Sequence, residues 1–446
     1  MSASKRPQIR QVEKDRFGEV FTPPALINAM LDKLPPEVWT DPAKKWLDPA
    51  AGFGNFFIEV YPRLMKSLER VIPEPSQRRR HILTQMLYMV EYNPESCARI
   101  RENPMFFSNG DSANLCCGDF LDLTVGTTAF VQETVVQFDI IVGNPPFNAD
   151  QTHKGKKGGG ANLWPKFVEK SLHGGGGGSL LKPGGFLLFI HPALWRKPSS
   201  DRSSSVSRLF HTMTHENHML YLEIHNKLDG KRDFGVQTRY DYYIIQNRPP
   251  SQECGYTTRI KDQTGRVHES VDLAAWHFFL PNHSFEIIKP LLLSSHHVCN
   301  INMNNTMILF SRCQYGSDQE WVSATQDEQH IYPVIHSTPK SGARIMWSSK
   351  RNTMFGVPKV IFGESGIHDV IIDIEGKYGM TQGAIGLKIT QAAGSDAVEQ
   401  EAQQMKHVLE SSEFHTILDA MSFSNFRIDW RMFLYFRPDF YKKIKC

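Results

Sequence analysis

The chain has 446 residues and carries 50 Lys and Arg against 47 Asp and Glu, a net charge of +3. The length suggests about two to three domains, and the mild charge permits nucleic-acid binding without arguing for it. No stretch approaches the ~20 apolar residues of a membrane span, and Met1 to Arg10 is polar where a signal peptide has an apolar centre, so the cytoplasm is expected (a host's, if the chain is viral). The seven cysteines contain no CxxC pair, which points to a reducing compartment with neither a disulfide framework nor a zinc site.

Residues 1–16 read as a polar arm. After Phe17-Gly18-Glu19-Val20, the segment Phe21-Thr22-Pro23-Pro24 feeds a helix with apolar spacing from Ala25 to Leu34, with Thr22 as its expected N-cap. A strand at Lys45-Trp46-Leu47 runs into Asp48-Pro49-Ala50-Ala51-Gly52-Phe53-Gly54-Asn55-Phe56. The glycines allow a tight turn and close approach of a ligand to backbone, and a helix from about Phe56 to Leu68 follows. Strand, glycine turn and helix make the first half of a nucleotide-type site. Asp48, at the strand end, is a candidate to bind a positive group. Residues 71–81 read as a polar connector with Arg78 to Arg80 on a solvated face. Met86 to Val90 is a strand ending in Glu91, where an acidic side chain commonly grips ribose hydroxyls. Asn114 to Cys117 is a short strand leading to Gly118-Asp119-Phe120. Asp119 is either an acceptor for an adenine amino group, with Phe120 beside the ring, or an ordinary turn aspartate.

The most informative stretch is Phe138 to Phe147. A β-branched run ends in Gly143-Asn144-Pro145-Pro146-Phe147, and the two prolines stop the strand. Asn144 Oδ1 and the Pro145 carbonyl are two acceptors in a rigid turn. Together they can receive both hydrogens of a planar exocyclic amine and aim its lone pair at an electrophile. Phe147 offers a face for stacking a base. The bland alternative is a structural turn.

Beyond Phe147, residues 148–160 read as a loop with Lys154, Lys156 and Lys157, 164–172 as a helix and 174–178 as a flexible glycine run. Strands are expected at 185–190, 218–225 and 240–246, the last two as an antiparallel addition. These signals describe a doubly wound α/β sheet of seven strands. Asn247-Arg248-Pro249-Pro250 marks an expected boundary between domains 1–248 and 249–446. The second domain reads as α+β, with strands at 359–363 and 370–372 and helices at 397–409 and 414–421. Asp373-Ile374-Glu375-Gly376-Lys377 matches the D…E-x-K spacing of metal-dependent nucleases, and equally fits a hairpin turn. His296, His297 and Cys299 lie close together without a second ligand pair.

With these elements in order, the chain resembles the gamma-class DNA adenine-N6 methyltransferases of restriction–modification systems. Phe21-Thr22-Pro23-Pro24 looks like that family's cofactor-flanking motif. Asp48 to Phe56 matches its D-P-A-x-G-x-G-x-F cofactor motif, and Asn144-Pro145-Pro146-Phe147 its catalytic tetrapeptide. The resemblance implies a seven-stranded S-adenosylmethionine-dependent methyltransferase fold followed by a C-terminal target recognition domain. It implies a cofactor site of Phe21, Thr22, Pro23, Asp48, Pro49, Ala50, Gly52, Gly54, Phe56, Glu91, Asp119, Phe120 and Asn144, with Asn144, Pro145, Pro146 and Phe147 catalytic and no metal. Phe234-Gly235-Val236 resembles the last sheet motif. The gap from Asp48 to Glu91 is longer than the ~20 residues usual for the ribose ligand.

The implied substrate is double-stranded DNA with its adenine flipped out of the stack. A monomer suits one adenine per binding event, and a separate cognate restriction endonuclease is a compatible partner. The same Asn-Pro-Pro-aromatic chemistry serves RNA bases and protein glutamine amides. A non-catalytic DNA-binding subunit is the alternative of another class. About sixteen residues precede the first motif, too few for a fused nuclease domain of ~100 residues. Arg344, Lys350 and Arg351 are candidate DNA contacts in the second domain.

Overall fold

The computed structural model describes residues 21–446 except 109, 131–132, 135, 149–161, 175–177, 199–204, 250–256, 277–278, 294–306, 311–315, 352, 391–393 and 424–426. The N-terminal arm, the lysine-bearing loop after Phe147, Gly175 to Gly177 and the His296/His297/Cys299 group therefore lie outside the described residues. The chain forms two compact units: residues up to Trp195 with 203–274, and Arg196–Arg202 with Ala275–Cys446.

The first unit is built on one sheet. Its strands are β1 (Trp46–Asp48), β2 (Leu87–Glu91), β3 (Asn114–Cys117), β4 (Phe138–Gly143), β5 (Leu181–Pro192), β6 (His218–His225), β7 (Tyr240–Gln246), β8 (Thr257–Lys261) and β9 (Val267–Asp272), in the order β9-β8-β6-β7-β5-β4-β1-β2-β3. β1 pairs in parallel with β2 and β4, β4 with β5, and β2 with β3, whereas β7 runs antiparallel between β5 and β6. β2 and β4 are buried along their whole length, as strands covered on both faces must be. All seven expected strands are present. The hairpin β8–β9 adds two more, with β8 parallel to β6, so the sheet continues past the boundary expected at residue 248. Thr257–Lys261 alternates polar and apolar residues and its burial alternates with them, as in a strand with one face exposed, and this hides the strand from a search for apolar runs.

Helices α1 (Pro24–Leu31), α2 (Asn55–Ser67), α3 (Pro75–His81), α4 (Pro94–Glu102) and α5 (Trp164–Leu172) connect the early strands. Ile27, Met30 and Leu31 of α1 and Phe56, Phe57, Val60 and Leu64 of α2 are buried in one cluster with Trp46, Met89, Ile140 and Val142 of the sheet. α4 starts at Pro94, and Asn93 caps it by accepting from Glu95 N at 3.0 Å.

Three expectations are corrected. The connector at 71–81 ends in α3, and of its arginines only Arg80 is on a solvated face: Arg78 is buried and donates to the Ile72 carbonyl at 2.7 Å, and Arg79 donates to the Met105 carbonyl at 2.9 Å. Their role is to tie a loop to a helix, which a run of charge does not reveal. Cys97 on α4 and Cys117 at the end of β3 form a disulfide, with Cα atoms 6.2 Å apart, where none was expected. Parallel pairing of Glu91 with Cys117 creates that proximity. Thr22 is not a helix cap, since Pro23 occupies the N-cap position of α1.

The second unit holds two four-stranded sheets. Its strands are β10 (Ile308–Leu309), β11 (Val322–Ser323), β12 (Tyr332–Ser337), β13 (Arg344–Ser348), β14 (Lys359–Gly363), β15 (Gly366–Asp373), β16 (Gly379–Met380) and β17 (Ala384–Lys388). They are ordered β10-β17-β14-β15 and β11-β13-β12-β16, with helices α7 (Ser395–Glu410) and α8 (Ser412–Ala420) beside them. Lys359 is fully buried and donates to Asp373 Oδ2 at 2.6 Å, while Asp373 also accepts from Lys377 N and Tyr378 N. The Asp373-Glu375-Lys377 spacing is thus that of a turn closed on a buried ion pair. Among the described residues no cluster of three or more His, Cys, Asp or Glu could hold a metal, and no helix is long and apolar enough to cross a membrane.

Candidate active site at the carboxyl edge of the first sheet

A cavity of about 260 Å³ opens where β1, β2, β3 and β4 end, and all of its lining residues belong to the first unit. Four loops, each leaving a parallel strand at the same edge, bring their polar groups together there. This is where ligands bind in open α/β sheets.

The loop after β1 supplies Pro49, Ala50, Ala51 and Gly52, with Asn55 and Phe56 from the start of α2. Gly52 and Gly54 both have left-handed backbone, with φ of 55° and 79°. A Cβ on Gly54 would meet Phe106 Cε2 at 2.7 Å, so this turn needs glycine for conformation and for space. Asp48 does not line the cavity. It is buried beneath the loop, where Oδ1 accepts from Ala50 N at 3.2 Å and Oδ2 has no hydrogen-bond partner. Burial pushes its carboxyl up to about 8, against the Ala50 hydrogen bond and with added repulsion from Glu91. Gly143 faces it closely, because a Cβ there would stand 3.0 Å from Asp48 Oδ1.

The loop after β2 supplies Glu91, Tyr92 and Asn93. Glu91 accepts from Gly52 N at 2.7 Å through Oε2 and from Asn93 N at 2.7 Å through Oε1. These bonds lock the glycine turn to the end of β2. The loop after β3 supplies Gly118, Asp119 and Phe120. Asp119 caps the following 3-10 turn by accepting from Leu121 N at 2.8 Å, and the buried Phe120 stacks on Phe167 of α5 with centroids 4.9 Å apart.

The loop after β4 supplies Asn144, Pro145, Pro146 and Phe147. Asn144 Nδ2 donates to Thr22 Oγ1 at 3.1 Å across 122 residues of sequence. Thr22, buried and lining the cavity, thereby fixes the amide plane and turns Oδ1 to the other side. Phe147 meets the buried Phe234 edge-on, with centroids 6.5 Å apart. The base of the segment after Phe147 is closed by the Asn148↔Asn162 bridge and by Leu163 N donating to the Phe147 carbonyl at 3.1 Å.

Of the residues expected at this site, all line the cavity except Pro23, Asp48 and Gly54. Reading the sequence missed Ala51, Asn55, Tyr92, Asn93, Gly118, Asn148, Leu163 and Phe167, which also line it. Tyr92 and Asn93 carried a signal, since they sit between Glu91 and the helix-starting Pro94. Phe167 carried none, because only the packing of α5 on Phe120 brings it in.

A strand order of 3-2-1-4-5-7-6 with one antiparallel strand, and a ligand cavity at its carboxyl edge, defines a class I S-adenosylmethionine-dependent methyltransferase fold. The residues fit that cofactor: Gly52 of the left-handed turn lines the cavity, and Glu91 and Asp119 line it from the ends of neighbouring strands. Residues 8–167 match the family model of the N-6 DNA methylases, which bears out the resemblance to adenine-N6 methyltransferases over that segment. An uncharacterized adenine-specific methylase of Mycoplasma pneumoniae is 29% identical over 258 residues, 43% of this chain and 59% of that protein. The chain thus spans less than two thirds of that relative's length. The type IIL restriction–modification enzyme MmeI, solved in complex with DNA, shares the fold with a TM-score of 0.53 at 9% identity, over 94% of this chain and 68% of that one. The M protein of the type I restriction enzyme EcoKI aligns over 54% of this chain and 48% of that one at 16% identity, with a TM-score of 0.39.

Proposed function

We propose that the protein is a site-specific DNA methyltransferase that transfers a methyl group from S-adenosylmethionine to N6 of an adenine flipped out of duplex DNA. The observation that carries this reading is the setting of Asn144: its amide is held by Thr22 at a cavity whose other walls are the glycine turn, Glu91 and Asp119. The family match and the fold shared with a DNA-bound restriction–modification enzyme support DNA over other acceptors.

When bound, S-adenosylmethionine supplies a methyl group activated by its sulfonium. The protein's part is orientation more than acid–base chemistry. Gly52 and the start of α2 give the cofactor close backbone contact. Glu91 accepts from ribose hydroxyls, and Asp119 accepts from the cofactor's adenine amino group with Phe120 beside it. Asn144 Oδ1 and the Pro145 carbonyl each accept one hydrogen of the target N6 amine, which withdraws its lone pair from the ring and aims it along the transfer line. Phe147, braced by Phe234, stacks the extruded base. The amine becomes acidic once alkylated, so its proton can leave to solvent. The second unit acts as the target recognition domain and reads base edges in the major groove. The chain acts as a monomer beside a separate cognate endonuclease.

The test is transfer of tritiated methyl from S-adenosylmethionine to unmethylated duplex DNA, with RNA and protein extract as parallel acceptors. Label recovered from DNA as N6-methyladenine is the expected result. Label on RNA or on protein glutamine alone would overturn the assignment of substrate and keep the Asn144 chemistry.

A further inference from the structure

Of the large apolar side chains exposed among the described residues of the first unit, four stand at the carboxyl edge of its sheet. Tyr92 follows β2, Leu228 follows β6, Val236 precedes the antiparallel β7, and Val267 begins β9 beside the end of β8; they are 66%, 73%, 50% and 40% exposed. Single exposed apolar residues need no explanation. Four on one edge, the edge that holds Asn144, do. Tyr92 already lines the cavity, so the other three require a different occupant.

Leu228 and Val236 belong to one rigid module. Helix α6 (Lys227–Phe234) begins with a capping box in which Asn226 Oδ1 accepts from Leu228 N at 2.8 Å and Asp229 N at 3.1 Å, and Asp229 Oδ2 accepts from Asn226 N at 3.0 Å. Its Gly230 packs so tightly on the returning segment that a Cβ would stand 2.0 Å from the Thr238 carbonyl oxygen and 3.0 Å from that of Val236. The module ends in Phe234, buried against Phe147 and Tyr240. Its inner end therefore touches the side chain assigned to stack the target base, and its outer end presents an aliphatic side chain on the first helical turn. Leu228 lies six helical positions from Phe234, a rise of about 9 Å, which spans a few stacked base pairs. An aliphatic side chain held so firmly in water gains nothing in the free protein. Pressed into a base step it would fill the gap that an extruded base leaves, the use that DNA-bending proteins make of Leu and Ile wedges.

We propose that Leu228, backed by Val236, is the wedge that enters the duplex as the target adenine leaves it, and so stabilises the flipped state. The proposal rests on the function proposed above. Opening a base pair costs a few kcal/mol of stacking and pairing, and a wedge that repays part of this raises the fraction of productive complex.

The test uses the full chain, with its target sequence first mapped by sequencing N6-methyladenine on plasmid DNA treated with the wild-type protein. Single-turnover methylation is then measured for wild type, Leu228→Ala and Leu228→Ala/Val236→Ala on two short duplexes. One pairs the target adenine with thymine, and the other places it opposite an abasic site, where little remains to be opened. S-adenosylmethionine binding checks that the variants fold. The expected result is a rate about tenfold lower for the variants on the paired duplex and nearly equal rates on the abasic one. An unchanged rate on paired DNA would overturn the proposal, and so would equal losses on both duplexes, which would make Leu228 a general DNA contact. A wild-type chain that methylates no DNA would instead overturn the function on which the proposal stands.

Discussion

Asn144 is where the chemistry and the fold meet most closely. Its backbone is set by the end of β4 and by two prolines, and its amide by Thr22 at 3.1 Å. Asn144→Ala should abolish methyl transfer while S-adenosylmethionine still binds, since the glycine turn, Glu91 and Asp119 are untouched; isothermal titration beside the tritium assay separates the two. Loss of cofactor binding in that variant would contradict the assignment. Asp48 makes a different prediction. Its folded-state pKa is raised to about 8, so the folded chain holds this proton where the unfolded chain has released it. The resulting stabilisation is full below the ordinary value of 3.8, and is lost as pH rises through about 8. Asp48→Asn retains an acceptor for Ala50 N and does not titrate. Its urea midpoint should therefore decline less than the wild type's across that window, and equal declines would show that Asp48 is not the group responsible.

The elements show what a sequence can and cannot reveal. The Asp48–Phe56 motif is legible because a strand, a left-handed turn and a helix leave glycines at fixed intervals, and the structure gives physical reasons for two of them. Gly54→Ala combines a φ of 79° with a collision on Phe106. It should cost about 1–3 kcal/mol of stability and weaken cofactor binding. Gly265→Ala, with a φ of 88° and open space around its Cβ, should cost less and leave binding unchanged. Denaturation and titration of both variants measure the difference. The hairpin β8–β9 was illegible for the opposite reason. Thr257–Lys261 alternates polar and apolar residues instead of forming an apolar run, and nothing local says which sheet it will join. Arg78 and Arg79 were misread because a cluster of cations looks the same in sequence whether it faces water or backbone carbonyls. Thr22 was misread because a threonine before prolines suits a helix start, while its actual partner lies 122 residues away.

For the molecule as a whole, the signal was uneven. Motifs at successive strand ends converge on one cavity because a parallel sheet places all its carboxyl ends on one edge, so chain order predicts spatial assembly. No such rule governs the second unit, where one antiparallel and one mixed sheet leave no recurring position for a functional residue. There the firmest statement concerns stability. Lys359 is buried with Asp373, and Lys359→Met would strand a buried carboxylate at a cost of about 3–5 kcal/mol. The expected outcome is a lower unfolding midpoint for the second unit, read from fluorescence of its tryptophans, with cofactor binding in the first unit preserved. An unchanged midpoint would show that Asp373 finds compensation from Lys377 N and Tyr378 N.

The closure behind Phe147 bears on how such a protein can change. The Asn148↔Asn162 bridge and the bond from Leu163 N to the Phe147 carbonyl fasten both ends of the intervening segment to each other. Its length is thereby uncoupled from the placement of the tetrapeptide, and the entropic penalty of lengthening a closed loop grows only logarithmically. This is a splice point. A protein engineer should be able to insert an affinity peptide there and leave the tetrapeptide in place.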